Sequence, residues 1–193
     1  MLSPRFAKTE PVTIPERPTV VLDASVGVAL VRDEPNSLQI SQTLRNLRGT
    51  GHRLVVPSVF WLELVNVLGR RYHTPPQAIL EAVVELEAAG LETVELDRPM
   101  LLLAIDAIVH HGLTAYDAAY LALADAADAR LLTADVTLAA AAGSRGLLIG
   151  QDAGIRERPA SYKPARAPAW AAWPGAAAYL RELRTRTLEV SAG

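Results

Sequence analysis

The feature that most restricts the fold of this 193-residue chain is a repeated alternation of short apolar runs with helical patterns. Thr19-Val-Val-Leu22 reads as a strand that stops at Asp23, and Ser25 to Val31 begins a helix. Arg53-Leu-Val-Val56 reads as a second strand closed by Pro57, after which Ser58 can cap a helix over Val59 to Arg71. Pro75-Pro76 opens a helix through Glu87 that ends at Gly90, and Thr93-Val-Glu-Leu96 reads as a third strand. Asp97 and Pro99 form an N-cap and first-turn pair for a helix over Met100 to His111. Thr114 starts another helix to about Ala127, Arg130-Leu-Leu132 reads as a buried strand, Val136 to Ala142 as a helix, and Leu147-Leu-Ile149 as a last strand. Successive parallel strands need helical crossovers, so this order predicts an α/β sandwich with a mainly parallel central sheet.

In such sheets the ligand site lies beyond the carboxyl ends of the strands. Asp23 directly follows the first strand, and Asp135 follows Arg130-Leu-Leu132 within the same kind of turn. Glu63 interrupts a strongly apolar helix, on the face shared by Val59, Asn66, Val67 and Arg70. Asp117 stands in the first turn of a helix whose continuation, Ala118-Ala-Tyr-Leu-Ala-Leu-Ala124, is apolar nearly all round. A helix of that composition is buried, so its acid needs an explanation.

Each acid also has a structural reading. Thr114-Ala-Tyr-Asp117 fits a capping box, in which Asp117 would serve only the first-turn backbone. Asp23 and Asp135 can be N-caps after their strands. Glu63 is harder to dismiss, because a glutamate in the middle of an apolar helix wants a partner. Ser25, Ser58 and Thr133 read as caps rather than nucleophiles. Asp106, Asp125 and Asp128 read as solvated helix positions, and Tyr116, Tyr120 and Trp61 as core aromatics or base-stacking groups.

Composition narrows the chemistry. The chain has no cysteine, which removes disulfides, thiolate zinc sites and thiol nucleophiles, so any metal must be held by oxygen or imidazole. His110-His111 diverge around a helix and His52 and His73 are isolated, so none matches a spaced histidine metal motif. Of the 19 basic and 21 acidic residues, the segment from Gln151 onward carries seven and four, leaving 12 and 17 before it. An acidic body is unlike a protein that binds nucleic acid through a basic surface alone, and if RNA were the substrate, metal ions would have to offset much of the local repulsion. Arg45, Arg48, Arg53, Arg70 and Arg71 are the candidate phosphate contacts on that body. Prolines and acids break up the N-terminus, and no apolar run is long enough for a membrane span. A cytoplasmic protein without membrane association is expected.

Four phrases carry a resemblance: Val21-Leu-Asp-Ala-Ser-Val-Gly-Val28, the run from Val56 through Glu63 to Leu68, His111-Gly-Leu-Thr-Ala-Tyr-Asp-Ala-Ala-Tyr-Leu-Ala-Leu123, and Leu131-Leu-Thr-Ala-Asp135. In this order they resemble the successive signature segments of VapC-like PIN-domain toxins, over roughly Pro18 to Ile149. The resemblance implies a three-layer α/β/α sandwich in which Asp23, Glu63, Asp117 and Asp135 form the acidic cluster, with Ser25, Asn66 and Thr133 as polar support. It implies a Mg2+- or Mn2+-dependent endoribonuclease, the toxin of a type II toxin–antitoxin pair, with a VapB-like antitoxin as partner and a tendency to form a homodimer. Asp23 and Asp117 would be the principal metal ligands, with Glu63 and Asp135 acting directly or through water. Hard divalent ions suit such a carboxylate set, since they reverse the sign of the local field before an anionic phosphodiester arrives.

Two other readings stay open, a housekeeping PIN nuclease in RNA processing and a non-catalytic PIN-fold module binding RNA or protein. A phosphatase of the haloacid dehalogenase type would want a second aspartate where Ser25 stands. The expected organisation is a flexible arm over 1–18, a nuclease domain over 19–150, and a Pro/Ala/Arg-rich extension over 151–193. Within that extension Arg156 to Ala169 reads as a linker, and Ala176, Tyr179, Leu180, Leu183 and Thr187 as the apolar stripe of a helix.

Overall fold

Five short strands pair in parallel in the computed structural model, which describes residues 17–32, 37–150 and 154–157. They are β1 (Thr19–Leu22), β2 (Arg53–Pro57), β3 (Glu92–Val94), β4 (Arg130–Thr133) and β5 (Gly146–Gly150). A sixth, β6 (Gly154–Glu157), pairs antiparallel with β5, and the sheet order is β3-β2-β1-β4-β5-β6. The helices are α1 (Ala24–Val31), α2 (Ser37–Gly49), α3 (Val59–Asn66), α4 (Pro76–Ala88), α5 (Arg98–His111), α6 (Ala115–Ala126) and α7 (Val136–Ala141). Together they make the expected α/β/α sandwich around a mainly parallel sheet.

The central strands read as unbroken apolar runs because helices cover both faces of the sheet. Val20, Val21 and Leu22 of β1, Leu54 to Val56 of β2, and Leu131 and Leu132 of β4 are all buried. Helix α6 packs across β1, β2 and β4, and every residue from Ala118 to Ala124 is buried. Its alanines allow that close seating, which is why the helix is apolar around its whole circumference.

The winding creates the site. From β1 the chain builds outward through β2 to β3, then returns to place β4 on the other side of β1. Neighbouring connections therefore leave β1 and β4 in opposite senses, and a crevice opens at the carboxyl ends of these two strands. Register carries Leu22 opposite Leu132, and the Asp23 amide donates to the Leu132 carbonyl at 3.0 Å. Asp23 and the end of β4 are held side by side in that crevice.

Several local expectations need revision. Helix α2 was not expected; its residues are mostly polar and no strand-like run flags it. The helix begun at Val59 is α-helical to Asn66 and then widens into a π-helical turn, Val67–Arg71. Ser58 makes no side-chain cap; its amide instead donates to the Val94 carbonyl at 2.9 Å. Pro57 ends β2 inside the ladder, opposite Val94, and β3 begins at Glu92 rather than Thr93. Strand β6 falls partly within the stretch read as linker. The arm before Arg17 and the tail helix lie outside the described residues. Among the described residues, no single helix is long and apolar enough to cross a membrane.

Gly146 shows how tightly α7 sits on the sheet. A Cβ added there would collide with the backbone carbonyl of Ala139, which cannot rotate away as a side chain could. Gly146→Ala is expected to cost about 1–3 kcal/mol, lowering the thermal midpoint by roughly 2–4 °C per kcal/mol. An unchanged midpoint in a thermal melt would contradict this packing of α7 against β5.

Candidate active site

Asp23 is the buried carboxylate around which the site is built, with 4% of its surface exposed. Its backbone is extended, at φ −81° and ψ 154°, and it stands at the N-cap of α1 without making a side-chain cap bond. The carboxylate instead accepts two hydroxyl hydrogens on Oδ2, from Ser25 at 2.5 Å and from Thr133 at 2.7 Å. Both hydroxyls are themselves positioned by β4 and its following turn. The Ala134 amide donates to Ser25 Oγ at 2.9 Å, and the Asp135 amide to Thr133 Oγ1 at 2.9 Å. The expected supporting roles of Ser25 and Thr133 thus have a specific geometry.

Glu63 reaches the site from α3 and is half-buried. Its Oε2 accepts the hydroxyl hydrogen of Tyr120 at 2.7 Å. Asp117, from the first turn of α6, is partly exposed and engaged in the capping arrangement that its sequence suggested. The Asp117 amide donates to Thr114 Oγ1 at 3.2 Å, and Thr114 Oγ1 donates to Asp117 Oδ2 at 2.7 Å. Each of these three carboxylates therefore holds hydroxyl groups on one oxygen, and the other oxygen takes no side-chain bond from them.

Electrostatics tie the three together. Burial lifts the Asp23 carboxyl above the ordinary carboxylate range; bonds from Ser25 and Thr133 oppose the rise, and the charge of Asp117 adds to it. Burial likewise lifts Glu63, against the Tyr120 bond and with the charges of Asp23 and Asp117. Mutual repulsion among carboxylates that share a site has this signature. Burial also lifts the Tyr120 phenol, followed by the charges of Glu63 and Asp23, so it stays a protonated donor.

Asp135 behaves differently. It caps α7, its Oδ1 accepting from the Leu138 amide at 2.8 Å, and it is exposed. Its backbone joins the Asp23 network through Thr133, while its carboxylate is turned to its own helix. Asn66 is exposed one turn beyond Glu63, and Arg70 and Arg71 are exposed on the π-helical turn. Arg71 lies over the Tyr72 ring at 5.4 Å, and Arg32 over the same ring at 3.9 Å.

Two readings of charged residues are corrected. Arg53 is buried and forks onto Glu92, with Nη2 to Oε2 at 2.5 Å and Nε to Oε2 at 3.0 Å, so it is not placed for phosphate. Asp125 is not a freely solvated position: burial raises its carboxyl, and Arg145 pairs with it. Tyr120 is the member of the site that sequence reasoning missed. Its signal was a phenol in an otherwise apolar helix, one turn after Asp117, where a buried hydroxyl needs a partner.

The fit to a divalent cation follows from the donor chemistry. Three carboxylates bear on one another with no cationic group among the charges acting on Asp23 and Glu63, and oxygen donors of this kind suit Mg2+ or Mn2+. As oriented, no three or more His, Cys, Asp or Glu among the described residues form a metal-binding group. Mg2+ does not require one, because it keeps several waters and is held by one or two carboxylates. A separate cavity of about 300 Å³, lined by Gly27, Leu44, Phe60 and Leu86 with Arg45 and Arg48, includes none of the four acids. Its apolar lining does not suit this chemistry.

The model of the family described as "PIN domain" matches residues 20–144. No curated protein gives a significant sequence match. Among solved structures, the VapC20 toxin of Mycobacterium tuberculosis, described as cleaving the sarcin–ricin loop, superposes with a TM-score of 0.51 at 16% identity. That alignment covers 63% of this chain and 94% of VapC20. VapBC2 of Rickettsia felis, solved on a DNA fragment from its promoter, gives 0.50 at 15% identity, covering 61% of this chain and 89% of the other. Identities this low speak to the fold alone.

The raised Asp23 carboxyl has a consequence for stability. The folded chain binds a proton at Asp23 more tightly than the unfolded chain does, so its ionised form costs stability above the folded pKa. That cost fades as pH falls through the folded pKa towards the unfolded value. Asp23→Asn is therefore expected to stabilise the metal-free protein by about 1 kcal/mol near neutral pH, or roughly 2–4 °C, with the gain shrinking in acid. Thermal melts at several pH values check this, and a loss of stability at neutral pH would contradict it.

Proposed function

This chain belongs to the PIN-domain family, and on that premise we propose that it is a divalent-metal-dependent endoribonuclease, the toxin of a toxin–antitoxin pair. The observation that carries the reading is the convergence of electrostatically coupled Asp23, Glu63 and Asp117 at the β1–β4 crevice. Asp23 and Asp117 would hold the Mg2+ or Mn2+, with Glu63 and Asp135 directly or through water. A cation held there would supply positive charge against the phosphodiester and make water a better nucleophile near neutral pH. Ser25 and Thr133 keep Asp23 in one orientation, and Thr114 does the same for Asp117. Asn66 offers a polar group at the rim, and exposed Arg70 and Arg71 offer phosphate contacts beside the helix that carries Glu63.

A VapB-like antitoxin is the proposed partner, RNA the substrate, and a homodimer the proposed assembly, in the cytoplasm. The PIN family supports the class of protein, and the choice of a toxin within that class rests on the four sequence phrases that resemble VapC-like toxins. A second reading, a PIN-fold binding module without catalysis, draws on the engagement of Asp117 and Asp135 with their own helix termini.

RNA cleavage separates the two. The native protein is expected to cut RNA with Mg2+ or Mn2+ and not with chelator, and Asp23→Asn and Asp117→Asn are each expected to lose at least 100-fold, on the order of the cost of removing one essential charge-stabilising group. Cleavage that persists in chelator would contradict metal dependence, and full activity in both variants would contradict the site. Metal binding is also expected to weaken as pH falls into the raised range of Asp23 and Glu63, because protons compete for the same oxygens.

A further inference from the structure

Tyr120 has no exposed surface, and as a core residue it would need no hydroxyl, since phenylalanine would fill the same space. Its hydroxyl nevertheless donates to Glu63 Oε2 at 2.7 Å. The charge of Asp23, which directly follows β1, also bears on the same phenol. Asp117 lies three residues before Tyr120 on α6, hence on the same face of that helix. One buried hydroxyl thus stands between the segments that deliver Asp23, Glu63 and Asp117.

We infer that Tyr120 is a positioning residue of the acidic site: it occupies Glu63 Oε2 and so confines that glutamate to contact through Oε1 alone. The inference rests on the metal-dependent reading proposed above. Its chemical consequence is selectivity among cations. A carboxylate limited to one oxygen suits the octahedral preference of Mg2+ and Mn2+, whereas Ca2+ accepts two-oxygen contact and variable geometry. Freed from the phenol, Glu63 can turn both oxygens to an ion, which favours Ca2+ relative to Mn2+. The bond also ties α3 to α6, so its loss loosens the separation of Glu63 from Asp117.

The test is calorimetric titration of Mn2+ and of Ca2+ into the native protein, Tyr120→Phe, Glu63→Gln and the double variant. Tyr120→Phe is expected to raise the Mn2+ dissociation constant about tenfold, in line with other hydrogen-bond partners of metal ligands, and to change Ca2+ binding less. In the Glu63→Gln background the same substitution should add little, because Tyr120 acts through Glu63. Equal Mn2+ affinity in native and Tyr120→Phe protein, an equal loss in both backgrounds, or parallel losses of Mn2+ and Ca2+ would overturn the inference. If the native protein bound no Mn2+ and cut no RNA, the nuclease reading would fall with it, an outcome distinct from native binding that Tyr120→Phe leaves untouched. A second measurement does not depend on the folding of Tyr120→Phe. In protein labelled with 3-fluorotyrosine, Mg2+ should shift the Tyr120 fluorine resonance in the native chain and not in Glu63→Gln. A resonance indifferent to Mg2+ in the native chain would overturn the inference.

Discussion

The parallel pairing of β1 with β4 is the interaction on which the rest depends. It places Leu22 against Leu132, so that the next residue on one strand, Asp23, meets the last residue of the other, Thr133. A slip of one residue would turn every side chain of β1 to the opposite face and send Asp23 away from Thr133. The buried apolar residues on both sides of β1 and β4 hold that register. Core packing and site geometry are therefore specified by the same pairs of residues, and the site cannot form before the centre of the sheet does.

Once in register, the chain concentrates negative charge where burial makes it expensive. Asp23 and Glu63 are lifted by burial and by neighbouring carboxylates, while hydroxyls of Ser25, Thr133 and Tyr120 recover part of that cost. The hydroxyls also divide each carboxylate into an engaged oxygen and one that they leave alone. At Asp117 the engaged oxygen is Oδ2, which accepts the hydroxyl of the Thr114 cap. Asp135 lies at the other extreme, with its carboxylate given to the α7 terminus.

Much of this was legible in the residues, for identifiable reasons. Strands β1, β2, β4 and β5 are continuous apolar runs bounded by turn residues, and that pattern is local. The Asp97 and Thr114 caps were legible because a cap and its amide are three residues apart. Helix α2 was not, because Ser37–Gly49 is mostly polar and its few packed side chains do not announce themselves. The burial of Arg53 depends on Glu92, 39 residues away, and the Tyr120–Glu63 bond joins residues 57 apart. Neither pairing leaves a mark within a sequence window. Four acids were expected to act as one group; three are coupled, and the fourth touches the network through its backbone. The cap that holds the Asp135 carboxylate is local, from Asp135 to Leu138, and was one of the readings its sequence position left open.

Asp23, Glu63 and Asp117 are proposed above as the seat of a hard divalent cation at the carboxyl ends of β1 and β4. Anomalous diffraction from crystals soaked in Mn2+ decides whether a cation sits there. A manganese peak in contact with Asp23 and at least one of Glu63 and Asp117 is expected, absent from crystals of Asp23→Asn. Manganese bound only at other surfaces, with this crevice empty at saturating concentration, would contradict the proposal.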